Sequence, residues 1–261
     1  MCGRARCALS REEVASTSGV SQERWRDVEK FQPDQNMSPG HWSPVVKYDK
    51  NGQLELHTMK WGLVPSFSKP EEKPDHFRMF NARSETVPEK GIFKRLLGRQ
   101  RCIVLLDGFY EWNQEHKQKQ PYYIYLTGGV TKMAGLFDCW APAEGDPIYT
   151  FTILTTDSSE RLQWLHNRMP VILPDKAAEE RWLQTAELDP KDLAAVCEPF
   201  NGEELKWHAV TPAMSRQGYH GDDCAKELKK PSITAFFKPK QAAAAAQLPR
   251  FSRPQKTSSG K

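Results

Sequence analysis

The chain has 261 residues, of which 38% are hydrophobic, enough to build the core of one large domain or two small ones. Its formal net charge of +4 is unevenly spread: residues 226–261 hold nine Lys or Arg against Glu227 alone, which leaves 28 basic and 32 acidic side chains before them. A domain with that balance has no global cationic field, so nucleic-acid binding by it must use a local basic patch.

Cys2, Cys7, Cys102, Cys139, Cys197 and Cys224 form no C-x-x-C pair, and no histidines cluster to complete a zinc site, so neither a structural metal nor a cofactor is expected. The first twenty residues carry Arg4, Arg6, Arg11, Glu12 and Glu13 without an apolar run, and no stretch approaches the length of a membrane span. The expectation is a soluble protein of a reducing compartment, without membrane contact. No interface between copies is legible, so a monomer is expected.

Along the chain, Met1-Cys2-Gly3-Arg4 places a cysteine directly behind the initiator methionine. Ser10-Arg11-Glu12-Glu13 has the spacing of a capping box and predicts a short helix just after that end. Residues 26–44 read as irregular, broken by Pro33, Pro39 and Pro44, and Asn51-Gly52 marks a turn between two strands. Apolar and β-branched runs predict strands at Cys102–Leu106, Tyr122–Leu126, Lys132–Phe137 and Ile148–Thr155. Their short spacing suggests an antiparallel or mixed sheet curled into a barrel. A helix capped by Asp157 or Ser158 is predicted to run to Leu165, with further helices at 175–184 and 190–197 and a last strand near Leu205–Val210. The class is α+β: a curved, barrel-like sheet with flanking helices over residues 1–225. The remainder, 226–261, is Lys-rich, then passes through Gln241 and Ala242–Ala246 to a Pro/Ser/Lys end, a composition that predicts a disordered tail.

The small side chain of Cys2 permits removal of Met1, which leaves a free α-amine and a thiol on one residue. At pH 7.4 an α-amine with a pKa of about 7.8 is roughly 30% neutral, against roughly 0.1% for a lysine amine. The neutral amine attacks an aldehyde to give an iminium, and the thiol then closes on the same carbon to form a five-membered thiazolidine. The matching electrophile is an aldehyde. A cysteine at position 2 can equally be no more than an early residue, and the terminus alone does not decide.

Further segments carry more polar chemistry than packing needs: Phe80-Asn81-Ala82-Arg83-Ser84-Glu85, Asp107-Gly108-Phe109-Tyr110-Glu111-Trp112 and His166-Asn167-Arg168-Met169-Pro170. With Met1-Cys2-Gly3-Arg4 and Trp61-Gly62-Leu63-Val64-Pro65, they resemble the signature segments of the SRAP family, in the same order over about residues 2–212. The resemblance implies the SRAP fold. It also implies a sensor and shield of abasic sites in single-stranded DNA that forms a thiazolidine crosslink through Cys2, reversibly, with self-cleavage of Met1 and β-lyase chemistry as companion activities.

The resemblance assigns Glu111 as acid/base, and a carboxyl just after a buried-looking strand is suited to exchange protons with the amine and the sugar; alone it would read as a surface ion pair. His166, before a proline-ended motif, is suited to protonate the sugar ring oxygen during opening to the aldehyde. Asn81 both donates and accepts, so it can orient the α-amine without competing for its proton. Arg4, Arg83 and Arg168 lie in matched segments and are expected to bind phosphates around the lesion, although Arg83 can instead pair with Glu85 or Glu111. Trp61 and Phe67 flank a Gly/Pro turn and suit an aromatic wedge against a neighbouring base, with a core role equally open for Trp61. Asn36, in Asn36-Met37-Ser38-Pro39, is a candidate contact to the DNA backbone.

In the tail, Lys230-Pro231-Ser232-Ile233-Thr234-Ala235-Phe236-Phe237-Lys238 resembles the peptide that binds the replicative sliding clamp, with Ile233, Phe236 and Phe237 as apolar anchors and Lys230 in place of the usual glutamine. Such a ligand implies a nucleus and its replication forks. Two other classes stay open: a thiol-dependent peptidase built from Cys2, His166 and Glu111, and a non-covalent reader of modified cytosine.

Overall fold

The strand-forming sequence is densest where side chains are buried on both faces. Arg101-Cys102-Ile103-Val104-Leu105-Leu106 is buried at every position, the pattern of a strand covered on two sides. The structure, a computed structural model, describes residues 2–113, 119–184 and 188–228. In chain order the elements are β1 (Arg4–Cys7), α1 (Arg11–Ser18), β2 (Trp25–Arg26), β3 (Asp34–Met37), β4 (Trp42–Tyr48), β5 (Leu54–Trp61), β6 (Asn81–Arg83), α2 (Gly91–Lys94), β7 (Arg101–Leu106) and β8 (Gly108–Asn113). Then follow β9 (Gln120–Leu126), β10 (Thr131–Trp140), β11 (Ile148–Asp157), β12 (Arg168–Pro170), α3 (Lys176–Leu183), α4 (Pro190–Val196) and β13 (Leu205–Ala209).

Five strands close a barrel. β4 pairs antiparallel with β5 and β7, β7 with β10, and β10 with β11. β11 returns to β5 in parallel at Thr150↔Lys60 and Phe151↔Trp61. One outer side of β7 is covered by α3, whose Trp182 indole donates to the Cys102 carbonyl at 2.8 Å. A second, antiparallel sheet has the order β13-β9-β8-β1-β3. The chain steps from barrel to sheet at Asp107. Its carboxylate accepts from the Ala8 amide at 2.6 Å and from the Arg6 guanidinium at 2.5 Å, while its own amide donates to the Arg6 carbonyl at 2.9 Å. Burial holds this carboxyl above the ordinary carboxylate range even with Arg6 beside it. The C-terminal end of β1 is thereby tied to the β7–β8 junction, while Arg4 at its other end pairs with Tyr110 of β8.

The expected barrel-like α+β core, the capping box of α1, the Asn51-Gly52 turn and helices near 175–184 and 190–197 are all present. Ser10 accepts from the Glu13 amide while Glu13 accepts from the Ser10 amide. Two expectations fail. Residues 26–44 are not irregular: Pro33 and Pro39 bracket β3 instead of breaking it, and Pro44 sits within β4, opposite Thr58 and one residue before the pairing of Val45 and Val46 with β7. No helix runs from 158 to 165. β11 extends to Asp157, the Ser158 amide bonds to the Asn167 carbonyl, and the residues between fold as turns in which Leu162 and Gln163 both donate to Ser159. Tertiary closure of this segment onto β12 overrides its helical pattern. Residues 229–261, with the clamp-like peptide, lie outside the described residues. Among the described residues no helix is long and apolar enough to cross a membrane.

His57, on β5, is fully buried, its Nε2 3.0 Å from the Asp27 carboxylate. Burial pushes its imidazolium down to about 4, outweighing Asp27. Asp27, though partly desolvated, is held below the ordinary carboxylate range by Lys30 and His57 and so stays ionised above that point. A histidine of pKa about 6.5 in the unfolded chain takes up its proton there first, so stability present above that pH is lost as the pH falls toward 4. Wild type is expected to lose about 3 kcal/mol between pH 7 and 4 from this residue. In urea titrations His57→Gln should be less stable at pH 7 but show a shallower decline; identical declines would contradict this origin.

Candidate active site

β11 organises the site. Ile153 pairs with Gly135 of β10 on one side and with Asn81 of β6 on the other; Thr155 pairs with Pro170 of β12 on one side and Arg83 of β6 on the other. The far end of β11 is therefore flanked by β6 and β12, which place Asn81 and the His166–Arg168 segment around a common strand. Asn81 Nδ2 donates to the Cys2 carbonyl at 2.9 Å, and Asn81 Oδ1 is buried with no hydrogen-bond partner among the described residues.

Cys2 precedes β1, and Arg4 pairs with Tyr110 at the end of the β1–β8 ladder. Glu111 is one step further along β8, toward Cys2, and is buried. The Cys2 side chain is 2% exposed, with Sγ 3.7 Å from the Arg4 carbonyl. Burial first, and then the negative charge of Glu111, push the thiol well above its usual range, so it is neutral at physiological pH. His166 is half-buried, and its Nδ1 accepts from the Arg168 backbone amide at 3.0 Å. That bond assigns the proton of the neutral ring to Nε2.

Several polar residues serve the framework. Arg168 is 8% exposed and donates to Asp157 at 2.7 Å, Glu85 at 2.8 Å and the Thr155 carbonyl at 2.7 Å. Its guanidinium bridges the segments on both sides of β11 and is not presented to a phosphate, contrary to expectation. Glu85 is thus the partner of Arg168 and not of Arg83, which is exposed. Asn36 is buried: Nδ2 donates to the Met214 and Tyr219 carbonyls at 2.8 and 2.7 Å, and Oδ1 accepts from Arg4 at 3.0 Å. It orients Arg4 and has no face to offer a DNA backbone. Trp61 is fully buried, its indole donating to the Phe80 carbonyl at 2.9 Å, so it braces the strand of Asn81 and is no surface wedge.

Residues 1–217 match the family described as SOS response associated peptidase (SRAP). The chain belongs to the SRAP family. Among its relatives, the abasic site processing protein HMCES of Xenopus tropicalis is 32% identical, the match covering 100% of this chain and 94% of that one. HMCES of Mus musculus is 34% identical over 86% of this chain and 75% of its own, and the abasic site processing protein YoqW of Bacillus subtilis 32% identical over 82% and 94%. A crystal structure of a protein from Bacteroides thetaiotaomicron superposes with a TM-score of 0.75 at 25% identity, covering 87% of this chain and 100% of that one. The barrel with its antiparallel sheet is the SRAP fold.

Among the described residues of this SRAP domain the large exposed apolar side chains are few. Phe67 is 67% exposed, with the Arg95 guanidinium 5.1 Å from its ring centroid, as expected of a surface aromatic. Phe77, 63% exposed, went unnoticed in the sequence because its loop is charged and has no period. The loop is pinned beside it: His76 Nδ1 lies 2.8 Å from the Gly62 carbonyl, and a Cβ on Gly62 would lie 2.1 Å from the His76 carbonyl oxygen. Only glycine fits there.

The carboxylate partners of Arg168 are half or more exposed, so its buried bond to Thr155 outweighs the screened ion pairs. Arg168→Gln is expected to cost about 1–2 kcal/mol in thermal denaturation and to broaden the 15N signals of the His166 ring as its tautomer loses definition. A variant as stable as wild type, with an unchanged ring spectrum, would show that Arg168 has no framework role.

Proposed function

We propose that the protein senses abasic sites in single-stranded DNA and shields them by a covalent crosslink through Cys2. The observation that carries this reading is the buried, neutral thiol of Cys2 set against Glu111, on a backbone held by Asn81. The names of its relatives, abasic site processing proteins, support the same substrate.

With Met1 removed, the α-ammonium of Cys2 passes a proton to Glu111 and the amine attacks C1′ of the ring-opened sugar; Glu111 returns that proton to the hydroxyl of the adduct, which departs as water and leaves an iminium. The thiol then adds to that carbon and its proton passes to Glu111, closing the thiazolidine. A thiol kept neutral by burial and a neighbouring carboxylate does not act first, so the amine leads and the sulfur follows once the cationic iminium is beside it. Asn81 Oδ1 is free to accept from the amine. His166 offers Nε2–H to the sugar ring oxygen during opening. Returning a proton from Glu111 to the sulfur reopens the ring, which makes the adduct reversible. The same iminium admits β-elimination, and the same residues are proposed to remove Met1.

Arg4 and Arg83 are the proposed phosphate contacts, and Phe67 and Phe77 the aromatic surfaces against flanking bases. The peptide at 230–238 is proposed to hold the protein to the sliding clamp at replication forks in the nucleus through Ile233, Phe236 and Phe237.

Mature protein mixed with single-stranded DNA bearing one abasic site should give a denaturant-stable species whose intact mass is the sum of the two less one water. Cys2→Ala and a form retaining Met1 should give none, and Glu111→Gln should slow formation by about 100-fold. Absence of the adduct from mature wild type would sink the covalent reading.

A further inference from the structure

Beside the site lies an aromatic ridge that none of the proposed steps uses. Tyr122 of β9 is the direct cross-strand partner of Glu111, so the two side chains leave the sheet on the same face. Trp164 lies two residues before His166, on the turns that replace the expected helix. Trp207 of β13 sits opposite Ile124, two residues along β9 from Tyr122 and therefore on the same face again. The rings touch in sequence: Tyr122 and Trp164 have centroids 4.9 Å apart at 85°, and Trp164 and Trp207 5.9 Å apart at 45°. At the outer end the Arg161 guanidinium lies 5.6 Å from the Trp207 ring centroid.

The ridge borders the core without being enclosed by it: Tyr122 and Trp207 pack against the core and stay partly exposed. Leu162 and Leu165 already fill the apolar space beneath the turn, whereas Trp164 is 37% exposed and Tyr122 and Trp207 are partly exposed. Three contiguous, partly uncovered aromatic rings starting at the catalytic carboxylate make a surface that any flat π-system can stack on.

We propose that Tyr122, Trp164 and Trp207 form a stacking subsite for unpaired bases of the strand that carries the lesion. The proposal rests on the reading that the protein binds single-stranded DNA, and continuity with the site selects that occupant: a strand whose sugar reaches Cys2 has its next bases at Glu111 and Tyr122. Arg161 supplies one cation at the far end, while the exposed Glu160, Glu203 and Glu204 offset it. Binding there depends on stacking more than on phosphate charge, so its salt dependence is small.

The test uses full-length Cys2→Ala protein, so that binding is read at equilibrium, with oligonucleotides carrying a tetrahydrofuran abasic analogue and unpaired flanks extended on the 5′ or the 3′ side. One extension should tighten wild-type-like binding and quench tryptophan fluorescence. Trp164→Ala should abolish that gain, a loss of about 10-fold, without changing affinity for the unextended oligonucleotide. Trp164→Phe should retain most of the gain, and Trp164→Leu, which keeps apolar bulk without a π face, should lose it while melting near wild type. In the Cys2 background Trp164→Ala should crosslink at a rate within about 2-fold of wild type at saturating DNA, since stacking aids binding rather than chemistry. If neither extension tightens binding, or Trp164→Leu keeps the gain, the subsite is refuted while the DNA-binding reading stands. If the protein binds no single-stranded DNA, both fall together.

Discussion

The last residues of β11 run past its pairings with β10 and β5, and their backbone groups need partners on both edges. β5 meets it at Thr150 and Phe151, and β10 leaves it at Ile153. From there β6 takes one edge and β12 the other. Both are three-residue strands with little reason to exist alone, and both adjoin the polar side chains of the site. The need to satisfy the end of one strand thus gathers Asn81 and His166 from distant parts of the chain. Arg168 then locks the arrangement by bonding across β11 to Glu85, to Asp157 and to the Thr155 carbonyl.

A second constraint acts on Cys2. The Asp107 clamp on Arg6 and Ala8 fixes the far end of β1, and the β8 ladder carries its near end past Tyr110 to Glu111. The thiol is consequently buried, beside a carboxylate, and reluctant to ionise. For a general nucleophile this would be a defect. In the proposed crosslink it would make the amine act first, with the sulfur following once positive charge develops on the carbon next to it.

Motif residues divide between chemistry and framework in a way that residue type does not reveal. Arg168 and Arg83 are both arginines in matched segments, yet one is walled in by carboxylates and the other faces solvent. Asn36 and Asn81 are both loop-adjacent asparagines. The former spends its whole amide on Met214, Tyr219 and Arg4, whereas the latter, bonded to the Cys2 carbonyl, keeps one oxygen without a partner among the described residues. Trp61 supports the Asn81 strand from within the core, whereas Phe67, Phe77 and Trp164 are the exposed aromatics among the described residues.

By itself the sequence determined the α+β barrel, the capping box at Ser10, most long strands, the family and the candidate quartet Cys2, Asn81, Glu111 and His166, because periodicity, caps and short motifs are local signals. It also located the change of character after Cys224. Only the tertiary structure decided that residues 158–165 are turns and that Asp34–Met37 is a strand, since the first comes from closure of β11 onto β12 and the second from pairing with β1. Likewise only packing decided that Arg168, Asn36 and Trp61 are framework, that Phe77 is exposed and that Trp164 and Trp207 meet in one row with Tyr122. Burial and partnership are properties of what lies across the fold, and no spacing along the chain encodes them.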